Sequence, residues 1–199
     1  MTNIRAVIFD LNGVFIKSEP LSVRFSKQFG VSVSDFLSAL NYVMDIVRLP
    51  GAPDTYLLFK PYLDKWGVAI GRDAFYHFWF SAEFVDESMI EVARTLKSRG
   101  IKIFALSNNF RERIEFYHTH FPFLADLFDE IRYSCITGLL KPNHLCWASI
   151  ISKYELTPSS VLYFDDSEKN VKVAASLGIK AFVYKDAAQV LALCELASN

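Results

Sequence analysis

Two apolar segments that each run into acidic residues constrain this chain more than any other feature. Residues 7–15 have the composition of a buried β-strand that delivers Asp10 to its end. Residues 161–164 form a second such segment and lead directly into Asp165 and Asp166. Buried strands of this kind are typical of parallel sheets, and the carboxyl ends of parallel strands meet at one edge. The sequence therefore predicts that the three carboxylates share one site.

The order of the remaining elements predicts an α/β fold with an inserted helical domain. From residue 86 onward, strand-like segments alternate with amphipathic helical segments, which is typical of a Rossmann-like, doubly wound parallel sheet with helices on both faces. The preceding stretch contains helical patterns and no convincing strand. The strands predicted after the first cover residues 101–107, 129–135, 159–166 and 179–184. The predicted boundaries are 1–17 and 86–199 for the core, 18–85 for the helical domain, and 16–20 and about 82–87 for the joints.

Composition limits the partners and the compartment. The net charge is −1 with no block of basic residues, so we expect no nucleic-acid partner. No apolar run approaches the roughly 20 residues of a membrane-spanning helix, and no leader precedes the first strand, so we expect a cytoplasmic protein without a membrane partner. The three cysteines are odd in number and have apolar neighbours, which favours reduced, buried thiols. A monomer and a homodimer remain equally open.

The predicted acidic cluster suits a divalent cation. Asp10, Asp165 and Asp166 would repel one another unless a cation or a proton compensated them. Carboxylate oxygens of this kind suit Mg²⁺, which binds one or two carboxylates and keeps waters and substrate phosphate as its other ligands. We therefore predict Mg²⁺ as the cofactor.

Two further segments supply groups that bind an anion. Ser107 and Asn108 lie between a predicted strand and a predicted helix, where a hydroxyl and free backbone N–H groups can hold an anion. Lys141 precedes Pro142 on a predicted loop, and its ammonium can neutralise both a carboxylate and a phosphate. A metal, an anion cradle and a cation are what phosphoryl transfer requires, because that chemistry is mainly positioning and charge neutralisation.

At this point the chain resembles hydrolases of the haloacid dehalogenase superfamily, the broad group of phosphatases with an aspartate nucleophile. The helical domain resembles the cap that closes over the site in that family and selects the substrate. The last motif is similar to small sugar-phosphate phosphatases and to the phosphatase domain fused to some epoxide hydrolases. The four motifs that carry the resemblance occur in the family's order at residues 9–14, 105–109, 141–142 and 164–170.

The resemblance implies a role for each acidic residue. Asp10 would be the nucleophile that forms an aspartyl-phosphate intermediate. Asp166 would bind Mg²⁺ directly, and Asp165 would bind it directly or through water. Asn170 would orient the carboxylates around the metal.

The same resemblance implies how the substrate is held. Ser107 and the backbone of Asn108 would bind the phosphoryl group that is transferred. Lys141 would bridge this group and Asp10. The implied activity is Mg²⁺-dependent hydrolysis of a phosphomonoester, with a small phosphorylated metabolite as the substrate.

Asn12 departs from the family's pattern. Phosphatases of the family have an aspartate there, which acts as general acid and base, and an amide cannot do this near neutral pH. The backbone carbonyl of Asn12 would still bind the metal. Three origins stay open: a natural low-activity or ligand-binding member, an enzyme with a replacement acid, for which His144 is a peripheral candidate, or a substitution introduced to trap an intermediate.

The same residue keeps two other functions open. Carbon–halogen hydrolases of the superfamily also lack this second aspartate, although they need no metal, and the pair Asp165–Asp166 favours one. A phosphometabolite-binding or regulatory protein without turnover is the third possibility.

Several weaker candidates for functional residues are better explained by packing or by exposure to solvent. His118 and His120 do not share a helix face, so surface or packing roles are favoured over a zinc site. The aromatic residues at 75–80 are expected to pack inside the helical domain, with one face possible along a substrate pocket. Arg48 follows a predicted helix, and a solvated arginine is favoured there over a substrate contact.

Overall fold

The computed structural model describes residues 4–196, in which a five-stranded parallel sheet forms the centre. The strand order is β5-β4-β1-β6-β7, so β1 is central, with β4 and β5 on one side and β6 and β7 on the other. The predicted α/β class is confirmed. The strands of this sheet are β1 (Ala6–Phe9), β4 (Lys102–Ser107), β5 (Glu130–Tyr133), β6 (Val161–Asp165) and β7 (Lys180–Val183).

Helices surround the sheet and form the insertion, and none within residues 4–196 is long and apolar enough to span a membrane. Four belong to the insertion: α1 (Leu21–Phe29), α2 (Val33–Val47), α3 (Thr55–Lys65) and α4 (Arg72–Phe80). The others are α5 (Glu87–Ser98), α6 (Arg111–His120), α7 (Leu124–Leu127), α8 (Ser134–Thr137), α9 (Leu145–Lys153), α10 (Glu168–Ser176) and α11 (Ala187–Leu196).

The central strand β1 shows why this sheet needs helices on both faces. Val7 and Phe9 are fully buried in one hydrophobic cluster, which includes residues of α5 and α11. Ala6 and Ile8 are fully buried in a second cluster, which includes residues of α9 and α10. Successive side chains of a strand point to opposite faces, so an uninterrupted apolar strand must be covered twice.

The insertion has a hydrophobic core of its own, built largely from aromatic rings. Phe25, Phe36, Phe59, Phe75 and Trp79 belong to this core, and the first four are almost fully buried. The aromatic segment at 75–80 therefore packs mainly inside the insertion.

A serine caps the start of α2. The hydroxyl of Ser32 accepts a hydrogen bond from the backbone N–H of Asp35. This acceptor satisfies one of the backbone N–H groups that the first turn of a helix leaves without a partner.

Two short strands connect the insertion to the core, which corrects the prediction that the inserted stretch contains no strand. β2 (Ile16–Ser18) pairs antiparallel with β3 (Glu83–Val85), with Lys17 opposite Phe84. Each strand has three residues, too few for an alternating pattern, and each finds its backbone partner in the other. The two predicted joints therefore lie side by side.

Candidate active site

The first strand is shorter than the apolar run that contains it. β1 ends at Phe9, and the chain then turns sharply, with the Gly13 N–H donating to the Ile16 carbonyl at 2.8 Å. Gly13 has φ +84°, and a Cβ there would lie 2.5 Å from Oδ2 of Asp166. This position therefore requires glycine, both for its backbone conformation and for the close approach of the carboxylate. Val14 is apolar because it is buried beneath the turn, and not because the strand continues.

The turn places three carboxylates together at the carboxyl edge of the sheet. Asp10 follows β1, Asp165 ends the neighbouring strand β6, and Asp166 comes next. Each offers an oxygen that lies within 4.8 Å of the oxygens of the other two. The sheet register explains this proximity, because Phe9 pairs with Phe164 and the two strands end at the same level.

Lys141 bridges two of these carboxylates. Its Nζ lies 2.9 Å from Oδ1 of Asp10 and 2.7 Å from Oδ2 of Asp165, and its side chain is only 3% exposed. The Asn108 side chain holds the loop, because its amide donates to the Lys141 carbonyl and accepts from the Lys141 N–H, each at 2.8 Å. Burial opposes the charged lysine, but Asp10 and Asp165 outweigh burial and raise its pKa. The two carboxylates therefore favour the charged form of Lys141 and hold its ammonium in place.

Asp165 is saturated by protein donors. Besides Lys141, it accepts from the Tyr163 hydroxyl, from the Ser167 N–H at 2.8 Å and from the Asn170 amide at 3.0 and 3.1 Å. Burial opposes its ionisation, but Lys141 and these hydrogen bonds outweigh burial and lower its pKa. The structure thus places Asn170 on Asp165, and it leaves Asp166 as the exposed member of the cluster.

The remaining charge in the cluster fits a divalent cation. Burial is the main cause that raises the pKa of Asp10 to about 6, and repulsion by Asp165 and Asp166 adds to it, while Lys141 opposes the rise. Burial and Asp165 also raise the pKa of Asp166. One ammonium therefore does not compensate three carboxylates, and their oxygens are the hard ligands that Mg²⁺ prefers. Asp10, Asp165 and Asp166 each offer an oxygen to such a cation, although the oxygens of Asp165 already accept several hydrogen bonds.

Both the nitrogen and the oxygen of the Asn12 side-chain amide form hydrogen bonds. Its Nδ2 donates to the Tyr117 hydroxyl at 2.5 Å, and its Oδ1 accepts from the Ser107 hydroxyl at 3.3 Å and from the Asn109 amide at 3.4 Å. All three partners can also donate a hydrogen bond to a carboxylate. The surroundings therefore accommodate asparagine fully and would accept aspartate of the same shape.

Several of these partners were not predicted from the sequence. Tyr163 shares a strand face with Asp165 two residues later, and this spacing is a signal that could have identified it. Tyr117 carries no such signal, because it reaches Asn12 from another element of the fold. Asn109 lies in the second motif, but that motif gave no role to its side chain.

The predicted histidine candidates lie apart from these contacts. His144 is exposed at the start of α9, and within residues 4–196 no hydrogen bond connects its side chain to the cluster. His120 stacks on Phe116, with ring centroids 4.0 Å apart, so it packs against its own helix. His118 is exposed.

Burial raises the pKa of the Cys146 thiol to about 11, which makes this cysteine a poor nucleophile.

Replacing Asp166 with asparagine is expected to abolish stabilisation of the protein by Mg²⁺. Wild-type protein should gain about 2.7 kcal/mol when the metal is at 100 times its Kd. Because the pKa of Asp166 is raised in the folded protein, its charged form costs stability, and the metal-free variant should melt no lower than wild type. Thermal melts with Mg²⁺ and with EDTA test this, with Asp126→Asn at an exposed acid of α7 as the control. A full Mg²⁺ shift in the Asp166 variant would contradict it.

The fold and these side chains define a Rossmann-like α/β protein with a lysine-bridged carboxylate cluster at the carboxyl edge of its sheet. The chain belongs to the haloacid dehalogenase-like hydrolase family, whose model matches residues 4–178. The resemblance to this superfamily inferred from the four sequence motifs is confirmed, and a hydrolase is the class of enzyme that the family defines.

Known proteins of several kinds are similar to this chain. Acyl-CoA dehydrogenase family member 10 of Mus musculus is 31% identical over 91 residues, which are 46% of this chain and only 8% of the length of that relative. A haloacid dehalogenase family enzyme from Bacteroides thetaiotaomicron has a TM-score of 0.78 at 20% identity, covering 92% of this chain and 94% of its own. The L-2-haloacid dehalogenase RSc1362 has a TM-score of 0.73 at 15% identity, covering 98% and 100%. These structural likenesses show the fold alone.

Proposed function

We propose that the protein is a Mg²⁺-dependent phosphomonoester phosphatase that acts through an aspartyl-phosphate on Asp10, with a small phosphorylated metabolite as substrate. The observation that carries the proposal is the cluster of three carboxylates bridged by one buried lysine. Carbon–halogen hydrolases of the superfamily need no metal, so a cluster that suits a metal favours the phosphatase. The Bacteroides thetaiotaomicron enzyme of similar fold was crystallised with magnesium and inorganic phosphate, which supports the proposal of a Mg²⁺-dependent phosphatase.

The carboxylate cluster and Lys141 support the first half of the proposed reaction. Bound Mg²⁺ would neutralise charge on the phosphoryl oxygens. An oxygen of Asp10 attacks phosphorus, the bond from phosphorus to the leaving oxygen breaks, and an aspartyl-phosphate forms. Lys141, fixed beside Asp10, compensates the charge that the carboxylate and the phosphoryl group bring together. The Ser107 hydroxyl donates to Asn12 at 3.3 Å in this structure and would turn to donate to the phosphoryl group.

Asn12 affects one proton transfer in each half of the proposed reaction. Water must attack phosphorus and release phosphate, which restores the Asp10 carboxylate. The leaving oxygen of the first step needs a proton, and the attacking water must lose one. Asn12 can neither donate a proton to the leaving oxygen nor accept one from the water. We therefore infer slow hydrolysis of the aspartyl-phosphate.

Replacing Asn12 with aspartate is expected to convert a burst into steady turnover. General acid–base catalysis contributes roughly 10²–10⁴-fold, and the partners of Asn12 can all bond a carboxylate. With p-nitrophenyl phosphate, which barely needs an acid, the unaltered protein should release about one equivalent of nitrophenol in Mg²⁺ and none in EDTA. The Asn12→Asp variant should continue to turn over in Mg²⁺.

The other outcomes separate the alternatives. Sustained Mg²⁺-dependent turnover by the unaltered protein would mean that another group performs the proton transfers. Tight phosphate-ester binding without any product from either protein would favour a binding or regulatory member. Halide release from a 2-haloacid that EDTA does not affect would establish a dehalogenase, a function that Asn12 and the similarity to a dehalogenase structure keep in view.

A further inference from the structure

We infer that Glu83 and Tyr117 are positioning residues for Asn12, and that they make an amide, and not a carboxylate, the group that fits at position 12. Glu83 takes the hydroxyl proton of Tyr117, so the tyrosine oxygen is left to accept a hydrogen bond from residue 12. Asparagine has an N–H to give, and an ionised aspartate has none. This fit is a property of the fold, and only its consequence for the reaction rests on the proposed function.

The contact lies where strand β3 meets helix α6. Glu83 is the first residue of β3, and Arg113 and Tyr117 share one face of α6 because they are four residues apart. Nη2 of Arg113 lies 2.8 Å from Oε1 of Glu83, whose side chain is only 1% exposed. The Arg113 guanidinium also lies over the Tyr117 ring, 5.6 Å from its centroid. The three side chains therefore form one group that is largely buried.

The Glu83 carboxylate is short of hydrogen bonds, and Tyr117 has a proton to give. Both Glu83 oxygens are buried, and among residues 4–196 neither accepts a hydrogen bond of ordinary geometry, although Arg113 is ion-paired to one of them. Burial raises the pKa of Tyr117, and the nearby Glu83 carboxylate adds to the rise while Arg113 opposes it, so the hydroxyl keeps its proton. A buried carboxylate without hydrogen bonds is costly, and the tyrosine proton therefore turns towards Glu83.

The direction of this proton decides which end of the Asn12 amide faces Tyr117. The tyrosine oxygen accepts from Nδ2 of Asn12, 2.5 Å away. Oδ1 of Asn12 then faces the Ser107 hydroxyl at 3.3 Å and the Asn109 amide at 3.4 Å. In the proposed reaction, that oxygen can accept a hydrogen bond from the attacking water and orient it without removing its proton.

An aspartate at position 12 would compete with Glu83 for a single proton. Tyr117 can donate to such an aspartate, but only by withdrawing its proton from Glu83. Arg113 compensates one of the two carboxylates, and their like charges repel in a buried setting. Asn12→Asp is therefore expected to carry a cost in stability that Glu83 imposes.

A double-mutant cycle between positions 12 and 83 tests the inference. Thermal melts in EDTA at pH 8 measure the loss caused by Asn12→Asp in wild type and in Glu83→Gln. The loss should be larger in the presence of Glu83 by about 2–4 °C, the shift expected for one modest interaction in a chain of this size. Equal losses would overturn the inference. Tyr117→Phe, added to each protein of the cycle, should remove most of the difference, and an undiminished difference would overturn the role of Tyr117.

Two further sets of variants guard the cycle against trivial results. Asn41→Asp adds the same charge at an exposed position of α2, and it should shift the melting temperature equally with Glu83 and with glutamine at position 83. Glu83→Gln leaves the guanidinium of Arg113 without its partner, which destabilises a buried pair. A second background that also carries Arg113→Met removes both charges and should give the same difference.

The orientation of the Asn12 amide has a readout of its own. In heteronuclear NMR spectra, the side-chain NH₂ signal that disappears in Asn12→Asp belongs to Asn12. Its protons should exchange with water about tenfold faster in Tyr117→Phe, the scale of one lost hydrogen bond, and unchanged exchange would contradict Tyr117 as the acceptor. None of these measurements uses turnover, so failure of the phosphatase proposal would show separately, as absence of nitrophenol release from the unaltered protein.

Discussion

Asp10→Asn is expected to abolish phosphoenzyme formation and to lower Mg²⁺-dependent release of nitrophenol by at least about 10⁴-fold, the scale of losing a catalytic nucleophile. The amide keeps the shape of the side chain but has no anionic oxygen to attack phosphorus. The measurement is rapid-quench nitrophenol release, together with acid-stable labelling of the protein by a phosphate donor. It is best made in the Asn12→Asp background as well, where many turnovers accumulate.

Stability measurements separate this loss from unfolding. The pKa of Asp10 is raised to about 6 in the folded protein, so its contribution to stability is fully present below about pH 4 and is lost as the pH rises through 6. A neutral amide escapes that loss. Metal-free Asp10→Asn should therefore be at least as stable as wild type at pH 7.5. Retained phosphoenzyme in this variant would exclude Asp10 as the nucleophile.

Lys141→Met is expected to lower the free energy of unfolding by about 3–5 kcal/mol at pH 8, which is the usual cost of removing one partner of a buried ion pair. The variant leaves Asp10 and the fully buried Asp165 facing each other without their shared ammonium. The loss should be smaller at pH 5, because Asp10 takes up a proton in the folded protein below about pH 6 and the repulsion falls. Phosphoryl transfer should be lost at both pH values.

Urea unfolding at pH 5 and at pH 8, both in EDTA, measures this effect. The control is Lys172→Met, which removes an exposed lysine paired with Glu168 and should change stability by no more than about 0.5 kcal/mol. A loss of the same size at both pH values would mean that Lys141 stabilises the fold by packing alone.

The features that follow from strand endings were accessible from the sequence. An apolar run that stops on a carboxylate identifies a strand and its carboxyl end together, so Asp10 and Asp165 could be assigned to one edge before any contact was known. Their placement within 4.8 Å of each other and of Asp166 is a consequence of sheet register.

Contacts between distant elements were not accessible. Tyr117 lies 105 residues from Asn12 in sequence, and neither residue shows by its neighbours that the other is its partner. The sequence analysis gave a role to the backbone of Asn108 and none to its side chain, yet this side chain fixes the backbone of Lys141, 33 residues away. Such pairings depend on how loops meet in space, and a residue's local pattern says nothing about that.

Arg48 shows the same limit for charge. An arginine after a helix is usually solvated, and composition cannot show how far the fold covers it. Arg48 is half-buried, and Pro50, two residues later, packs near Gly138 of the core.

The pairing of β2 with β3 has a consequence for how such proteins diversify. Because the chain leaves and re-enters the core through adjacent antiparallel strands, everything between Ser18 and Glu83 is attached at a single stalk. A different set of helices, or a tight hairpin turn, could replace that segment without rerouting the strands that carry the carboxylates. A change in the inserted helices would then leave the carboxylate cluster in place.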